Sequence, residues 1–158
     1  MDSVVTPITS EDEDAVYAML LGLHEENGLF TVDETKVREV IRQATEQRGG
    51  IIGVIRGEEG LEASIGLAVE QWWYTNDWCI SERWMYVVPA ARRKNHAKRL
   101  IDYAKWCSQQ LGVPFENGIM STTRTAAKER LYARQMTRIG SYYMWVPGDE
   151  PVKTGVPS

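Results

Sequence analysis

The stretch from residue 86 to residue 100 constrains the fold most, because a strand-like run stops at a proline and restarts as an amphipathic helix. Pro89 donates no backbone hydrogen bond and can end the strand. The apolar residues that follow recur at helical spacing, which predicts a helix beginning close to Asn95 or His96; they are Leu100, Ile101, Ala104, Cys107 and Leu111. The first turn of a helix has N–H groups without partners and carries the positive end of the helix dipole. The junction is therefore predicted to hold an anion such as a phosphate.

Five cations lie in a run of eight residues at this junction, although the chain has a formal net charge of -4. They are Arg92, Arg93, Lys94, Lys98 and Arg99. Cations at a helix N-terminus oppose the helix dipole, so a helix built only for stability would carry Asp or Glu here. A polyanionic ligand would reverse this effect. A nucleic acid is the weaker alternative, because the rest of the chain is acidic and contains no recognition motif.

The junction resembles the acyl-CoA-binding signature of the GNAT N-acyltransferase superfamily, V-x-P-x-x-[RQ]-x-x-G-x-[GA] followed by a leucine. The matching residues are Val87, Pro89, Arg92, Ala97 and Leu100. Asn95 stands where the family usually has glycine, and Asn enters left-handed backbone conformations more readily than most residues. The resemblance implies acetyl-CoA as a cosubstrate, with its diphosphate held at Arg92, Arg93, Lys94, Asn95, His96, Ala97 and Lys98. It also implies that the acyl-pantetheine arm pairs with the backbone of Tyr86, Val87 and Val88.

A second motif, residues 125–132, resembles the N-x-x-A-x-x-L-Y segment of the same family and keeps the pair Leu131-Tyr132. The resemblance implies that Tyr132 is the general acid facing the CoA sulfur. A phenol with a pKa near 10 stays neutral at pH 7 and can still protonate a thiolate. Thr125 occupies the Asn position and is assigned to cofactor binding, and Lys128 occupies the alanine position. The alternative for Tyr132 is a core position with its hydroxyl bound to a backbone carbonyl.

Glu82 is the first choice for the general base, because it is the only carboxylate on the predicted strand 79–88. Glu70 on the preceding strand and Glu116 on the following one are alternatives, acting directly or through water. A plain structural alternative for Glu82 is an ion pair with Arg83 or Arg56.

Regular alternation would place Glu82 on the face of Trp84 and Tyr86, and Ser81 on the face of Val87. In family members with a base on this strand, the base often shares a face with the residue corresponding to Val87. Glu82 is therefore expected to reach that face only through a β-bulge.

The remaining patterns predict strands at 4–8, 51–56, 61–73, 79–88, 115–121 and 141–146, and helices at 10–27, 31–50, 95–111 and 125–135. This order is similar to the GNAT fold, a mixed α/β (α+β) fold. We expect a mostly antiparallel central sheet of about six to seven strands, flanked by about four helices. Residues 1–146 are predicted to form one domain and 147–158 a flexible tail. Glu25 and Glu26 are interpreted as part of a solvated loop.

Composition limits the class of protein. The 158 residues, with 43% hydrophobic and 25% charged, suit one globular domain. No apolar run is long enough to cross a bilayer and the start lacks a signal peptide, so no membrane partner and a cytoplasmic location are expected. Cys79 and Cys107 have no metal-ligand spacing with His24 or His96, so we expect reduced thiols and no metal.

The sequence therefore predicts an acyl-CoA-dependent N-acyltransferase, most simply an enzyme that transfers acetyl from acetyl-CoA to a primary amine of a small molecule or protein. Direct attack in a ternary complex is the expected mechanism. The alternative is a non-catalytic CoA-binding regulatory or assembly module on the same fold. A group of aromatic residues is expected to form core, a homodimer contact or an acceptor site for a cation: Trp72, Trp73, Tyr74, Trp78 and Trp84.

Overall fold

The computed structural model describes residues 4–121 and 123–149. Its strands are β1 (Val5–Pro7), β2 (Gly50–Arg56), β3 (Leu61–Gln71), β4 (Trp78–Val87) and β5 (Phe115–Glu116). Its helices are α1 (Glu13–Asn27), α2 (Glu34–Thr45), α3 (His96–Leu111) and α4 (Thr125–Ala133). Short 3-10 turns at Ser10–Asp12 and Pro89–Ala91 precede α1 and α3.

One sheet in the order β1-β2-β3-β4-β5 organises the domain. The first four strands are antiparallel, and β5 lies parallel to β4. On one face, residues of α1 and α2 pack against Val54 and Tyr86, and on the other face α3 packs against Ile65 and Ile80. The predicted mixed α/β fold with a mostly antiparallel sheet and four helices is confirmed, but the described residues contain five strands rather than six to seven.

The helix that follows the anion-binding junction begins where the sequence predicts. His96 is the first helical residue of α3 and Asn95 precedes it as the N-cap. Gly112 ends the helix in a left-handed conformation with φ of 66°, which glycine adopts without strain. Helix α2 begins at Glu34 and not at residue 31 as predicted, because Asp33 caps that helix by accepting a 2.9 Å hydrogen bond from the amide of Lys36.

The strand predicted at 141–146 is absent from the structure. These residues have no regular hydrogen bonding, and most of their side chains are exposed, Tyr143 to 93%. The cause lies at β5, which leaves the sheet after Glu116 and so offers no edge long enough for a further strand. Tyr142 instead packs closely over Gly118. Most of the predicted tail, residues 150–158, lies outside the described residues.

Three further features hold for residues 4–121 and 123–149. Cys79 and Cys107 are free and buried. No helix in these ranges is long and apolar enough to span a membrane. No three His, Cys, Asp or Glu side chains in these ranges come together as metal ligands would.

Candidate active site

A cleft opens in the sheet where β4 and β5 separate. The two strands are paired only at Ile80 with Phe115 and at Ser81 with Glu116. Beyond these pairs β4 continues to Val87, whereas residues 117–120 have no regular structure. A cleft of about 150 Å³ lies in this gap, and Glu82, Tyr132 and Lys128 are among the residues that line it.

A β-bulge in β4 turns Glu82 to the side that the hypothesis of a general base requires. Gly66 pairs with Trp84 and the next residue, Leu67, pairs with Glu82, so Arg83 is an extra residue without a partner in β3. Residues paired across antiparallel strands share a face, so Glu82 lies on the face of Leu67. Regular alternation, which placed Glu82 with Trp84, is therefore wrong at this point.

Glu82 contacts the tyrosine that the second motif singled out. The Tyr132 hydroxyl donates to Oε2 of Glu82 over 3.4 Å. Burial raises the pKa of Glu82 to about 7, and Tyr132 and the nearby Asn117 oppose this rise. The buried Nδ2 atom of Asn117 has no hydrogen-bond partner among the described residues. A carboxyl with a pKa near neutrality can accept and release a proton at physiological pH.

Burial also raises the pKa of Tyr132, and the charge of Glu82 and its hydrogen bond add to the rise. The tyrosine is therefore neutral at pH 7 and keeps its proton while Glu82 is ionised. Its hydroxyl contacts a carboxylate, which differs from the alternative of a core tyrosine bound to a backbone carbonyl.

The ion pair that was the structural alternative for Glu82 is not formed. Glu70 lies 3.5 Å from Arg83 in an exposed ion pair, and Arg56 pairs with Asp12. Neither arginine is therefore the partner of Glu82. Glu116 lines the same cleft, and its charge raises the pKa of Glu82 further.

The first turn of α3 contains no acidic residue, and its N-cap, Asn95, makes no side-chain capping hydrogen bond. Arg93, Lys94 and Asn95 are exposed, Ala97 and Lys98 are half-buried, and His96 is buried. Among the described residues, the carboxylates near this turn bind side chains: Glu26 binds Arg92, Glu62 binds Lys94 and His96, and Asp102 binds Lys98.

Arg92 lies beneath the turn. Its Nε donates to the carbonyl of Val87 over 3.1 Å, and its Nη2 contacts Glu26 at 2.5 Å. Tyr86 donates to the same Glu26 carboxylate over 3.4 Å. The interpretation of Glu26 as part of a solvated loop is therefore wrong: it lies in α1 and joins that helix to the turn before α3.

Glu62 of β3 holds the other side of the turn. Its carboxylate binds Lys94 Nζ at 2.6 Å and His96 Nε2 at 2.6 Å, and the hydrogen bonds from Lys94 and His96 lower its pKa. The backbone amide of Val88 donates to the carbonyl of Glu62 over 2.9 Å. Lys98 instead pairs with Asp102 along the helix.

The backbone of β4 next to the cleft is only partly available. Tyr86 and Val87 pair with β3 on one side, and the carbonyl of Val87 is already used by Arg92. On the other side, no described strand pairs with β4 beyond Ser81. Thr125 begins α4, and its hydroxyl donates to the carbonyl of Ser121 over 2.9 Å.

The aromatic group divides between core and surface. Trp84 is buried, with its Nε1 donating to Ser64 Oγ over 3.1 Å. The other four members, Trp72, Trp73, Tyr74 and Trp78, are exposed around the β3–β4 hairpin. They do not line the cleft.

Sequence reasoning missed Asn117 and underrated Lys128 and Glu26. Asn117 follows β5 and carries no motif, so nothing in the sequence marked it. Lys128 was noted only as a departure from the alanine of the second motif. Glu26 could have been found from its position near the end of α1, beside a run of arginines that needs counter-charges.

Comparison with known proteins gives a match at the level of the fold. No protein-family model matches the chain, and no curated protein sequence matches it. A possible acetyltransferase from Clostridium difficile 630 has a TM-score of 0.70 at 18% identity, over 90% of this chain and 94% of that one. An aminoglycoside acetyltransferase from an uncultured soil metagenomic sample has a TM-score of 0.70 at 14% identity, over 93% and 99%.

A third solved structure with this fold is a complex with a ligand. AAC(6')-Iy in complex with the bisubstrate analog CoA-S-monomethyl-acetylneamine has a TM-score of 0.68 at 8% identity, over 92% of this chain and 98% of that one. These likenesses show that the chain has the GNAT acetyltransferase fold.

Proposed function

We propose that this chain, which has the GNAT acetyltransferase fold, is an acyl-CoA-dependent N-acyltransferase that transfers acetyl from acetyl-CoA to a primary amine. The observation that carries the proposal is the contact between Glu82 and Tyr132 inside the cleft, with the pKa of Glu82 at about 7. A proton acceptor and a neutral proton donor are the two groups that amide formation from an ammonium and a thioester requires.

The turn before α3 fits a diphosphate. Its helix end is uncapped, has no acid in its first turn and is flanked by exposed Arg93 and Lys94. Backbone amides at a helix N-terminus bind phosphate oxygens well. Arg92 would position this turn through its bonds to Val87 and Glu26. Acetyl-CoA, when bound there, supplies an activated acetyl thioester.

Glu82 would accept the proton that the acceptor ammonium must lose before it can attack. At pH values near 7 about half of the Glu82 side chains are ionised and ready to do so. Tyr132 would donate its proton to the departing sulfur. The amine would attack the thioester directly, because both proton-transfer groups lie in one cleft and no step needs a nucleophile from the protein.

The acceptor is proposed to be a small molecule that carries an amine. Glu82 and Glu116 line the cleft and favour a cationic group there. Two solved structures with this fold are an aminoglycoside acetyltransferase and a complex with the bisubstrate analog CoA-S-monomethyl-acetylneamine, which agrees with a small-molecule amine acceptor.

Replacement of Tyr132 by Phe tests the proposal. Loss of a general acid lowers turnover by about 100-fold to 10,000-fold. CoA affinity, measured by calorimetry, should change little, because the residues proposed to hold the diphosphate lie on the turn before α3. Tyr142→Phe is the matched control, since Tyr142 lines the same cleft and the structure gives it no hydrogen bond to Glu82 among the described residues. Full activity of Tyr132→Phe would exclude the proposed acid, and CoA binding without turnover on a panel of amines would favour the non-catalytic module.

A further inference from the structure

Lys128 is a cation inside the cleft that the proposed transfer does not use. It lies on α4 four residues before Tyr132, so the two side chains project from the same face of the helix. Both line the cleft together with Glu82. The amine of Lys128 therefore shares one cleft with the groups assigned to remove and supply protons.

The contacts of Lys128 leave much of its amine unengaged. Its Nζ donates to Ser121 Oγ over 2.8 Å, and that hydroxyl in turn contacts Asn27 Oδ1 at 2.6 Å. Within residues 4–121 and 123–149, Lys128 forms no ion pair. An ammonium has three donors, so a single contact to a hydroxyl leaves two hydrogens without an acceptor among the described residues.

The surroundings of Lys128 favour its neutral form. Burial is the main cause that lowers its pKa. Arg124 and Arg92 lower it further, and Glu26 and Glu82 act in the opposite direction. A lysine with a lowered pKa presents more of the neutral amine, which is the nucleophilic form.

We propose that Lys128 is a self-acetylation site, modified by the acetyl-CoA bound to its own chain when no acceptor amine fills the cleft. The inference depends on the proposed function, because it uses the same cosubstrate and the same cleft. In the step, the neutral Nζ attacks the thioester carbonyl carbon, a C–N bond forms, and the C–S bond breaks with its electron pair going to sulfur. Tyr132 gives the thiolate a proton, Glu82 takes the proton lost from Nζ, and that proton returns to Tyr132 through their contact. The products are acetyl-lysine and free CoA thiol.

The modification would also change the site. It neutralises the cation in the cleft and adds three heavy atoms to a space of about 150 Å³. The acetylated chain should therefore transfer acetyl to added amines more slowly than the unmodified chain. Self-acetylation would act as a brake when acetyl-CoA is plentiful and the acceptor is scarce.

Intact-protein and peptide mass spectrometry test the proposal. The full chain is incubated with acetyl-CoA and no amine, and acetylation of Lys128 is followed in time beside that of Lys36. Lys36 is the internal control, because it is exposed on α2 and belongs neither to the cleft nor to the turn before α3. We expect Lys128 to be modified at least about 10-fold faster, since a nucleophile held beside bound thioester gains from proximity. Lys128→Arg should remove this one acetyl group from the intact mass.

Two further arms separate enzymatic from spontaneous chemistry. Glu82→Gln and Tyr132→Phe should slow the acetylation of Lys128 and leave that of Lys36 unchanged, and an amine that is turned over should protect Lys128. Equal rates at the two lysines, or no effect of the two variants, would overturn the proposal.

Calorimetry with CoA and an amine assay on the same samples identify which proposal fails. CoA binding and amine turnover without modification of Lys128 would refute self-acetylation alone. Absence of CoA binding would refute both proposals.

Discussion

Replacement of Glu82 by Gln should stabilise the protein at neutral pH while it removes the proposed base. The side chain is ionised above pH 7 in a site whose burial disfavours the charge. Glutamine has nearly the same size and carries no charge, so it avoids this penalty. Glu82→Gln is therefore expected to gain stability and to lose activity.

The magnitude follows from the pKa of Glu82. A rise from the ordinary value of 4.5 to about 7 corresponds to about 3 kcal/mol, since each tenfold change in proton affinity is worth about 1.4 kcal/mol. Between these two values the folded protein binds more protons than the unfolded chain, so its stability falls as the pH rises. Below pH 4.5 the group is protonated in both states and the penalty vanishes.

Urea unfolding of wild type and Glu82→Gln, followed by tryptophan fluorescence from pH 4 to pH 8.5, measures this difference. The two free energies of unfolding should agree near pH 4 and diverge by up to about 3 kcal/mol above pH 7. Glu70→Gln is the control, because Glu70 is an exposed carboxylate on the neighbouring strand. If the free energies of unfolding of wild type and Glu82→Gln differ by the same amount from pH 4 to pH 8.5, Glu82 does not have a raised pKa and the reasoning is refuted. In the wild type, kcat/KM should rise with pH through about 7, and that rise should be lost in the variant.

Two predictions concern the fold. Gly66→Ala should destabilise the protein by about 1 to 3 kcal/mol, because a Cβ there would lie 2.3 Å from the Trp84 ring; Gly140→Ala, whose Cβ meets nothing within 4 Å, should be near neutral by the same unfolding assay. Asp33→Ala should cost about 1 kcal/mol by removing the cap of α2, whereas Thr31→Ala should change the free energy of unfolding by less than about 0.5 kcal/mol. Equal effects of Asp33→Ala and Thr31→Ala would contradict the capping assignment.

Local signals were sufficient to predict most of the fold. Residues 57–60 close the hairpin between β2 and β3, the two strands predicted at 51–56 and 61–73, and α3 begins directly after Asn95 as predicted. The prediction of a strand at 141–146 was wrong, because strand propensity describes a segment and not the strand with which it must pair. Tyr142 and its neighbours have β-forming side chains, but β5 ends at Glu116 and leaves them no edge to join.

The site was less predictable than the fold, because one extra residue in a strand reverses the side on which a side chain lies. The sequence contains no mark of the bulge at Arg83, which arises from the pairing of Gly66 and Leu67 with β4. A glycine at position 66 makes room for the Trp84 ring, which packs against it next to the bulge. The pairing of β3 with β4 depends on both strands. The sequence of β4 alone could therefore identify Glu82 as a candidate base but could not determine the face of the sheet on which it lies.

The contact between Tyr132 and Glu82, which lies next to the bulge, also affects the pKa of Tyr132. While Glu82 is ionised, its charge and its hydrogen bond both hold the pKa of Tyr132 up, and the phenol is a poor proton donor. In the proposed transfer, Glu82 loses its charge when it takes a proton from the attacking amine, and this charge then no longer raises the pKa of Tyr132. The phenol therefore becomes a better acid at the moment when the thiolate leaves. Neither residue type implies this behaviour by itself, because it belongs to a pair of coupled groups 3.4 Å apart.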